Sequence, residues 1–473
     1  MNLPRLLLRL ALGRRRPVHS GELRVRGLGE PITIRRDQWG IPHVEAESDA
    51  GGWFGLGFCH GQDRAFQLEM LLRVARGTLA ELVGPQGLPV DRVSRRVGFR
   101  RSAARRWDAQ PDDVKAILTE YTSGINAGAT TGLPRKPHEF ALLRADPTPW
   151  EPADVLAFLA LQSFMLPSNW DVELARLRIL QADGPDALLA LDPVPSSTQS
   201  SVLSTESTSV LDRLAEDLAL FREFAPAGGG SNNWAIAGSR TASGKPLMAN
   251  DPHLPMTAPS IWYLAHVATP DWAVAGASMV GTPAVAVGHN GFACWGMTAG
   301  LIDNSDLFLE PASAGETVRE VIRVRGRPDA VEDVLVTPRG PVISPTVAGA
   351  SVVVSLRATW LDARPVRGLL DVPRARDYET FRRAFADWPS LPQNLVYADA
   401  AGTIGWQLAG QVPVRRGHSG LVPVPADAPG VGWEPEPVPF DRMPFAVNPP
   451  EGFVATANSD PGLVLPSPLG GEG

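Results

Sequence analysis

Ser231 is the residue in this sequence with the clearest route to nucleophilic chemistry. It follows Gly228-Gly229-Gly230 and precedes Asn232-Asn233-Trp234. A serine hydroxyl attacks poorly until a base takes its proton. A cut in the peptide bond before Ser231 would turn its own α-amine into that base. A free α-amino group titrates at about 7.7–8, close to working pH, where general-base catalysis is most effective. The glycines ahead of it let the backbone take positive φ and approach other segments closely, as a self-cleaving bond requires. The same residues also fit a flexible glycine-serine loop leading into a strand.

Other nucleophile and metal schemes find no support. The sequence has no Gly-x-Ser-x-Gly elbow and no His-Glu-x-x-His spacing. Ser243-Gly244-Lys245 approaches a phosphate-binding loop, but Ser239 stands where that loop needs its first glycine. His253, His266 and His289 are spread along the second half, and a catalytic triad is recognised by geometry, which spacing alone does not supply.

Three N-terminal blocks give Ser231 a context. They are Arg36-Asp37-Gln38-Trp39-Gly40-Ile41-Pro42-His43-Val44, Gly57-Phe58-Cys59-His60-Gly61-Gln62-Asp63-Arg64-Ala65-Phe66-Gln67, and Arg76-Gly77-Thr78-Leu79-Ala80-Glu81-Leu82-Val83-Gly84. Together they resemble the start of the α-subunit of penicillin acylases, N-terminal-nucleophile hydrolases made as one precursor. Gly230-Ser231-Asn232-Asn233-Trp234 resembles the start of their β-subunit. Gly288-His289-Asn290-Gly291, Trp295-Gly296 and Thr298-Ala299-Gly300 resemble the next block. The blocks run in the family's order from about residue 31 to about residue 461.

The resemblance implies a site and a reaction. Ser231 would attack an N-acyl amide, its freed amine acting as base. The backbone amide of Ala299 and the side chain of Asn458 match the oxyanion donors. His253 matches a position beside the nucleophile, where its backbone or ring would steady the amine; a satisfied surface histidine is the alternative. Asn232 and Asn233 read as hydrogen-bonded residues at a strand start. Glu173, Asp303, Ser305 (through its carbonyl) and Asp306 match the ligands of one structural Ca²⁺; carboxylates and carbonyls suit a hard cation. Solvated acids are the plain alternative. The acyl pocket is expected around Phe164, Leu166, Pro167, Met256, Trp262 and Met279. This leaves open aromatic against fatty acyl groups, and β-lactam against homoserine-lactone amides.

The positioning elements are partly visible in the pattern. Residues 31–38 read as a strand. Ala50 to Leu82 reads as a helix, with Leu68, Leu71, Leu72, Ala75, Leu79 and Leu82 at three- and four-residue steps. Residues 111–129 form a second helix with Asp112 and Asp113 in its first turn. Residues 153–191 read as two helices broken near Leu166-Pro167-Ser168, since proline removes a donor. The polar run Pro195 to Ser201 reads as a linker, and the resemblance makes 193–230 an excised spacer. After Ser231 the runs 233–238, 246–249, 272–280, 283–288, 351–356, 394–398 and 403–408 read as strands, the last two as a hairpin across Asp399-Ala400-Ala401-Gly402. A helix-rich part followed by a strand-rich part predicts an α+β fold; the resemblance makes it the four-layer αββα sandwich of N-terminal-nucleophile hydrolases.

The implied organisation is a lead (1–30), an α-subunit-like part (31–192), the spacer (193–230), a β-subunit-like core (231–460) and a low-complexity tail (461–473). Family members continue beyond this point, so the resemblance implies a member cut short, with apolar surface exposed. An inactive remnant or an acyl-ligand-binding module is the alternative to an α/β heterodimeric amidohydrolase. A net charge of −7 argues against nucleic-acid binding, which favours a basic surface. The two cysteines, Cys59 and Cys294, make no disulfide framework. No apolar run reaches the roughly 18 residues of a membrane span. Arg5, Arg9 and Arg14-Arg15-Arg16 interrupt the N-terminal leucines, so no clear export signal is read. The family resemblance points to the periplasm, and the compartment stays open.

Overall fold

Four glycines set the closest approach in the helical half. The computed structural model describes residues 13–166, 169–191, 205–225, 229–345 and 350–458. In it, helices α1 (Asp49–Arg76) and α2 (Asp112–Thr130) lie against each other. A Cβ at Gly57 or Gly61 would collide with the carbonyl of Tyr121 or Ile125, and one at Gly124 or Gly128 with that of Phe54 or Phe58. Residues four apart share a helix face, so each glycine pair forms a groove for the other backbone. Ser48 caps α1 by accepting the Gly51 N–H, and Gly77, in the left-handed conformation, ends it. The expected helix 50–82 is therefore divided: α1 stops at Arg76, and Ala80–Val83 forms a separate turn.

Helices α3 (Pro152–Met165) and α4 (Trp170–Leu191) flank the expected break at Leu166. Pro167 and Ser168 lie outside the described residues. Helix α5 (Thr205–Phe224) occupies much of the segment read as a linker. Its Val210, Leu211, Leu214, Leu218 and Phe221 are buried in the main core. Those residues recur at three- and four-residue steps, the pattern of an apolar helix face. The polar run 195–201 that suggested a linker lies outside the described residues, as do residues 1–12 and the tail from 459 onward.

Among the described residues the rest forms five sheets, of which the two that concern the site are stacked. Before Ser231 lie β1 (Thr33–Arg36) and β2 (Pro42–Glu45). After Gly229 come β3 (Gly230–Ile236), β4 (Leu247–His253), β5 (Trp262–Ala268), β6 (Ala273–Met279), β7 (Val285–His289), β8 (Ala293–Ala299) and β9 (Ser305–Pro311). They are followed by β10 (Glu316–Ile322), β11 (Ala330–Val336), β12 (Val352–Ala358), β13 (Gln393–Asp399) and β14 (Ile404–Ala409). Short strands β15 (Arg415–Arg416), β16 (Val424–Pro425), β17 (Gly432–Trp433), β18 (Phe445–Val447) and β19 (Phe453–Thr456) complete the set. The large sheet has nine strands in the order β1-β2-β5-β6-β7-β8-β13-β14-β18. The expected hairpin is β13–β14. β2 pairs with β5 in parallel, so the two halves of the chain share one sheet.

The small sheet, β19-β3-β4, carries Ser231. Alternate residues of a strand face opposite ways. Ala235 and Val454 pack on Val396, Ala398 and Ile404 of the large sheet. Trp234, Leu247 and Phe453 are exposed on the other side. Helices cover the opposite face of the large sheet, giving the α+β layering the sequence predicts. Strand β13 is buried along almost its whole length, as a strand between two layers should be.

A buried polar chain ties helix to sheet. His60 is fully buried, its Nδ1 2.7 Å from Tyr121 Oη and its Nε2 2.9 Å from Ser278 Oγ. Ser278 Oγ in turn donates to the Tyr263 carbonyl. A neutral ring protonated on Nε2 fits this chain, with Tyr121 donating to Nδ1. Burial, aided by the charge of Arg64, lowers the His60 pKa to about 3. A histidine depressed in the fold and ordinary when unfolded stabilises above pH ~6.5, and that stability falls away as pH drops toward 3. The loss from this one residue is roughly 2 kcal/mol between pH 7 and pH 5. Urea unfolding of the parent and of His60→Gln at both pH values checks it; the parent's stability should fall more steeply by that amount.

Candidate active site

Ser231 is the second residue of β3, half-buried at the end of the small sheet. The chain approaches it through Gly229 at φ 129°, where a Cβ would strike the His253 carbonyl. Only glycine allows that conformation without strain, so Gly229 before Ser231 serves close backbone approach. The residue opposite Ser231 on β4 is Pro252, and His253 stands opposite Gly230.

Asn458 reaches Ser231 from the segment after β19. It sits at φ 57°, a left-handed conformation that asparagine tolerates better than most residues. The Ser231 N–H donates to Asn458 Oδ1, while Asn458 Nδ2 donates to the Ala299 carbonyl at 3.2 Å. Ser231, Ala299 and Asn458 thus form one local cluster on one cavity wall. His253 keeps its backbone beside Gly230, but its ring is half-exposed and hydrogen-bonds Asp251 at 2.8 Å. Asn233 is buried and accepts from Thr456 Oγ1 at 2.6 Å, a structural role, and Asn232 is exposed.

The cavity beside Ser231 holds about 490 Å³ and lies between the helices and the large sheet. Phe164, Leu166, Trp262 and Met279 line it as expected. Pro167 lies outside the described residues. Met256 corrects the expectation: it stands in solvent on the 254–261 loop and lines no part of the cavity. Sequence reasoning missed Met297 and Trp388, and also Leu218 and Phe221 of α5. The apolar stripe of α5 was the available signal; nothing local marks the other two.

A second cluster gathers Glu173 of α4 with Asp303 and Asp306, ligand atoms all within 4.8 Å of one another. Sequence separation hid one member, Arg415 of β15. Its Nε donates to both oxygens of Asp306 at 3.0 and 2.9 Å, and its Nη2 lies 2.8 Å from Asp303 Oδ1. Trp433 Nε1 also donates to Asp306, and Leu307 N to Glu173 Oε2 at 3.1 Å. Glu173 Oε1 is buried with no partner among the described residues. Burial, then the charges of Asp306 and Asp303, push the Glu173 carboxyl well above its ordinary range. Burial also lifts Asp303 to about 7, with Arg415 opposing and Asp306 adding. Three carboxylates against one guanidinium leave two negative charges when all are ionised. The Ser305 carbonyl lies 3.5 Å from Arg415 Nη2. All-oxygen donors, an orphaned carboxylate oxygen and a deficit of two charges fit a hard divalent cation.

Comparison with known proteins identifies the family. The penicillin amidase family model matches residues 31–470. The penicillin acylase 2 proenzyme of Pseudomonas sp. is 33% identical over 94% of this chain and 60% of its own length. The acyl-homoserine lactone acylase QuiP of Pseudomonas aeruginosa is 30% identical over 93% of this chain and 56% of its own. The chain therefore spans 56–60% of the length of these relatives. A solved thermostable penicillin G acylase from Alcaligenes faecalis aligns at 25% identity and a TM-score of 0.44, over 49% of this chain and 45% of that one. With a family match running from the first strand through Asn458, the chain belongs to the penicillin amidase family.

Proposed function

We propose that this chain is the precursor of an amide hydrolase acting on small N-acyl amides, cut before Ser231 by its own hydroxyl and working as an α/β pair. One observation carries the reading. Ser231, second in strand β3, lines an apolar cavity, with Asn458 on its N–H and Ala299 in the same wall. An apolar cavity with a few convergent polar groups is the usual form of a small-molecule site. The relatives named above are acylases of penicillin and of acyl-homoserine lactones, which supports the amide class.

Scission comes first. Ser231 Oγ attacks the Gly230 carbonyl carbon, its proton passes to the Ser231 nitrogen, and the C–N bond breaks to leave an ester. That break frees the α-amine; water then hydrolyses the ester, releasing the Gly230 carboxylate and the Ser231 hydroxyl. In turnover, the amine takes the Ser231 hydroxyl proton as Oγ attacks the substrate carbonyl, and returns it to the departing nitrogen. Water splits the acyl-enzyme and releases the acid. The oxyanion is met by the Ala299 backbone amide and by Asn458 Nδ2, which must first leave the Ala299 carbonyl. Preorganised donors of this kind contribute about 2.7–4 kcal/mol each to the transition state. His253 steadies the Ser231 amine through its backbone, beside Gly230. Intact-mass measurement tests the reading: two fragments divided between Gly230 and Ser231, with amide hydrolysis by the pair, is the expected result. A lasting single chain that binds acyl ligands without turnover would make it a receptor instead.

Glu173, Asp303, Asp306 and the Ser305 carbonyl would hold one Ca²⁺, which supplies charge balance between the two parts of the chain. Removing divalent cations with a chelator should lower the thermal midpoint, and Ca²⁺ should restore it. Glu173→Gln should weaken that response. A midpoint indifferent to both treatments would remove the ion from the proposal.

A further inference from the structure

We propose that Gln162 and Gln393 make the cavity a reader of oxygen-bearing acyl chains, so that N-acyl amides with an oxo or hydroxyl group on the acyl part are preferred over plain hydrocarbon chains. The inference rests on reading Ser231 as the amide-cleaving nucleophile. Both glutamines line the cavity, and each is only 5% exposed. Neither side-chain amide has a hydrogen-bond partner among the described residues. Buried polar groups are almost always satisfied, so an unpaired amide beside a void calls for a partner that enters it.

Several other polar liners are already engaged. The Thr298 hydroxyl pairs with Thr456 Oγ1 at 2.7 Å. Arg222 pairs with Asp171 at 2.7 Å, and Arg367 with Asp113 at 2.6 Å. The two glutamines differ from these, and they come from a helix and a strand on different sides of the cavity; Trp262 Nε1, a donor only, is a further buried liner without a partner among the described residues. Gln162 belongs to helix α3, and Gln393 opens strand β13. Gln393 is the register partner of Ala299, the expected oxyanion donor, so both project from the same face of the sheet. That puts Gln393 at the carbonyl end of an acyl chain lying in the cavity. A primary amide both donates and accepts. It can therefore bond a hydroxyl in either sense or donate to an oxo group, and an aliphatic side chain at the same place would suit a plain chain better. A site built to hydrogen-bond a substrate discriminates strongly against the analogue that leaves its polar groups unpaired.

The experiment compares three amides of one amine on the full chain: decanoyl, 3-hydroxydecanoyl and 3-oxodecanoyl. The expected kcat/KM is about ten-fold or more higher for the oxygenated pair. Gln393→Leu, and Gln162→Leu separately, should shrink that ratio, with parent-like thermal melting showing that each variant folds. A second measurement needs no turnover: decanoic and 3-hydroxydecanoic acids are titrated calorimetrically into the Ser231→Ala chain and into its Gln393→Leu and Gln162→Leu derivatives. Tighter binding of the hydroxy acid, lost with either glutamine, supports the proposal. Equal binding of the two acids, no binding of either, or a preference unchanged in both leucine variants overturns it. If the hydroxy acid is preferred while the parent chain hydrolyses none of the amides, the cavity proposal stands and the hydrolase reading fails.

Discussion

Ser231→Ala should leave the polypeptide in one piece and remove amide hydrolysis, a loss on the order of 10⁴–10⁶-fold, as when a catalytic serine is deleted elsewhere. The size of the effect follows from the double use of one residue. Without Oγ there is no attack on Gly230, no scission and no new amine. Without the amine there is no base for a later nucleophile. Ser231→Cys separates the two steps, because a thiol also attacks carbonyls: the chain should be cut and its fragment should begin with the introduced residue. The fold should survive either change, since Ser231 is half-buried and its backbone pairing with β4 is untouched. Intact mass and N-terminal sequencing give the answer. A parent fragment beginning Ser-Asn-Asn-Trp is expected, and fragments from the alanine variant divided at the same bond would refute the mechanism.

Asn458 should produce the second-largest effect, a fall of about 10²–10³-fold in kcat when its side chain is removed. Glycine is the informative replacement, because alanine at φ 57° would add backbone strain to the lost donor. Asn458→Asp divides the role further. It keeps an oxygen for the Ser231 N–H but has no Nδ2 to meet an oxyanion. Scission should therefore be less impaired in the aspartate variant than in the glycine variant, and amide turnover slowed strongly in both. Equal scission in the two, with full turnover in either, would assign Asn458 to the turn alone. Electrospray time courses follow the first quantity, and initial rates on an N-acyl amide the second.

Periodicity made much of the fold legible. The helices α2, α3 and α4 and the β13–β14 hairpin declare themselves through apolar spacing, prolines and a Asp-Ala-Ala-Gly turn. Helix α5 was obscured because the polar run before it set the reading of the whole segment, while its own apolar stripe begins only at Val210. Strand β9 was not read because Ser305 and Asp306 open it with polar groups that are buried for reasons of charge. Arg415 could not be found from sequence: it lies 109 residues from Asp306, in a different sheet, and only the tertiary fold brings them together. The glutamines of the cavity escaped for a related reason, as an uncharged amide in a strand or helix carries no signature until its surroundings are known.

The sharing of one sheet between the strand pair before Ser231 and the strands after it bears on durability. A broken backbone would leave β2 paired with β5, and His60 still bonded to Ser278, all without a covalent tether. Once such a two-piece molecule melted, its halves would have to find each other by diffusion. Recovery would become second-order and slow on dilution, where the uncut form recovers as a unimolecular event. Heat inactivation of the nicked form should then be set by how fast it opens.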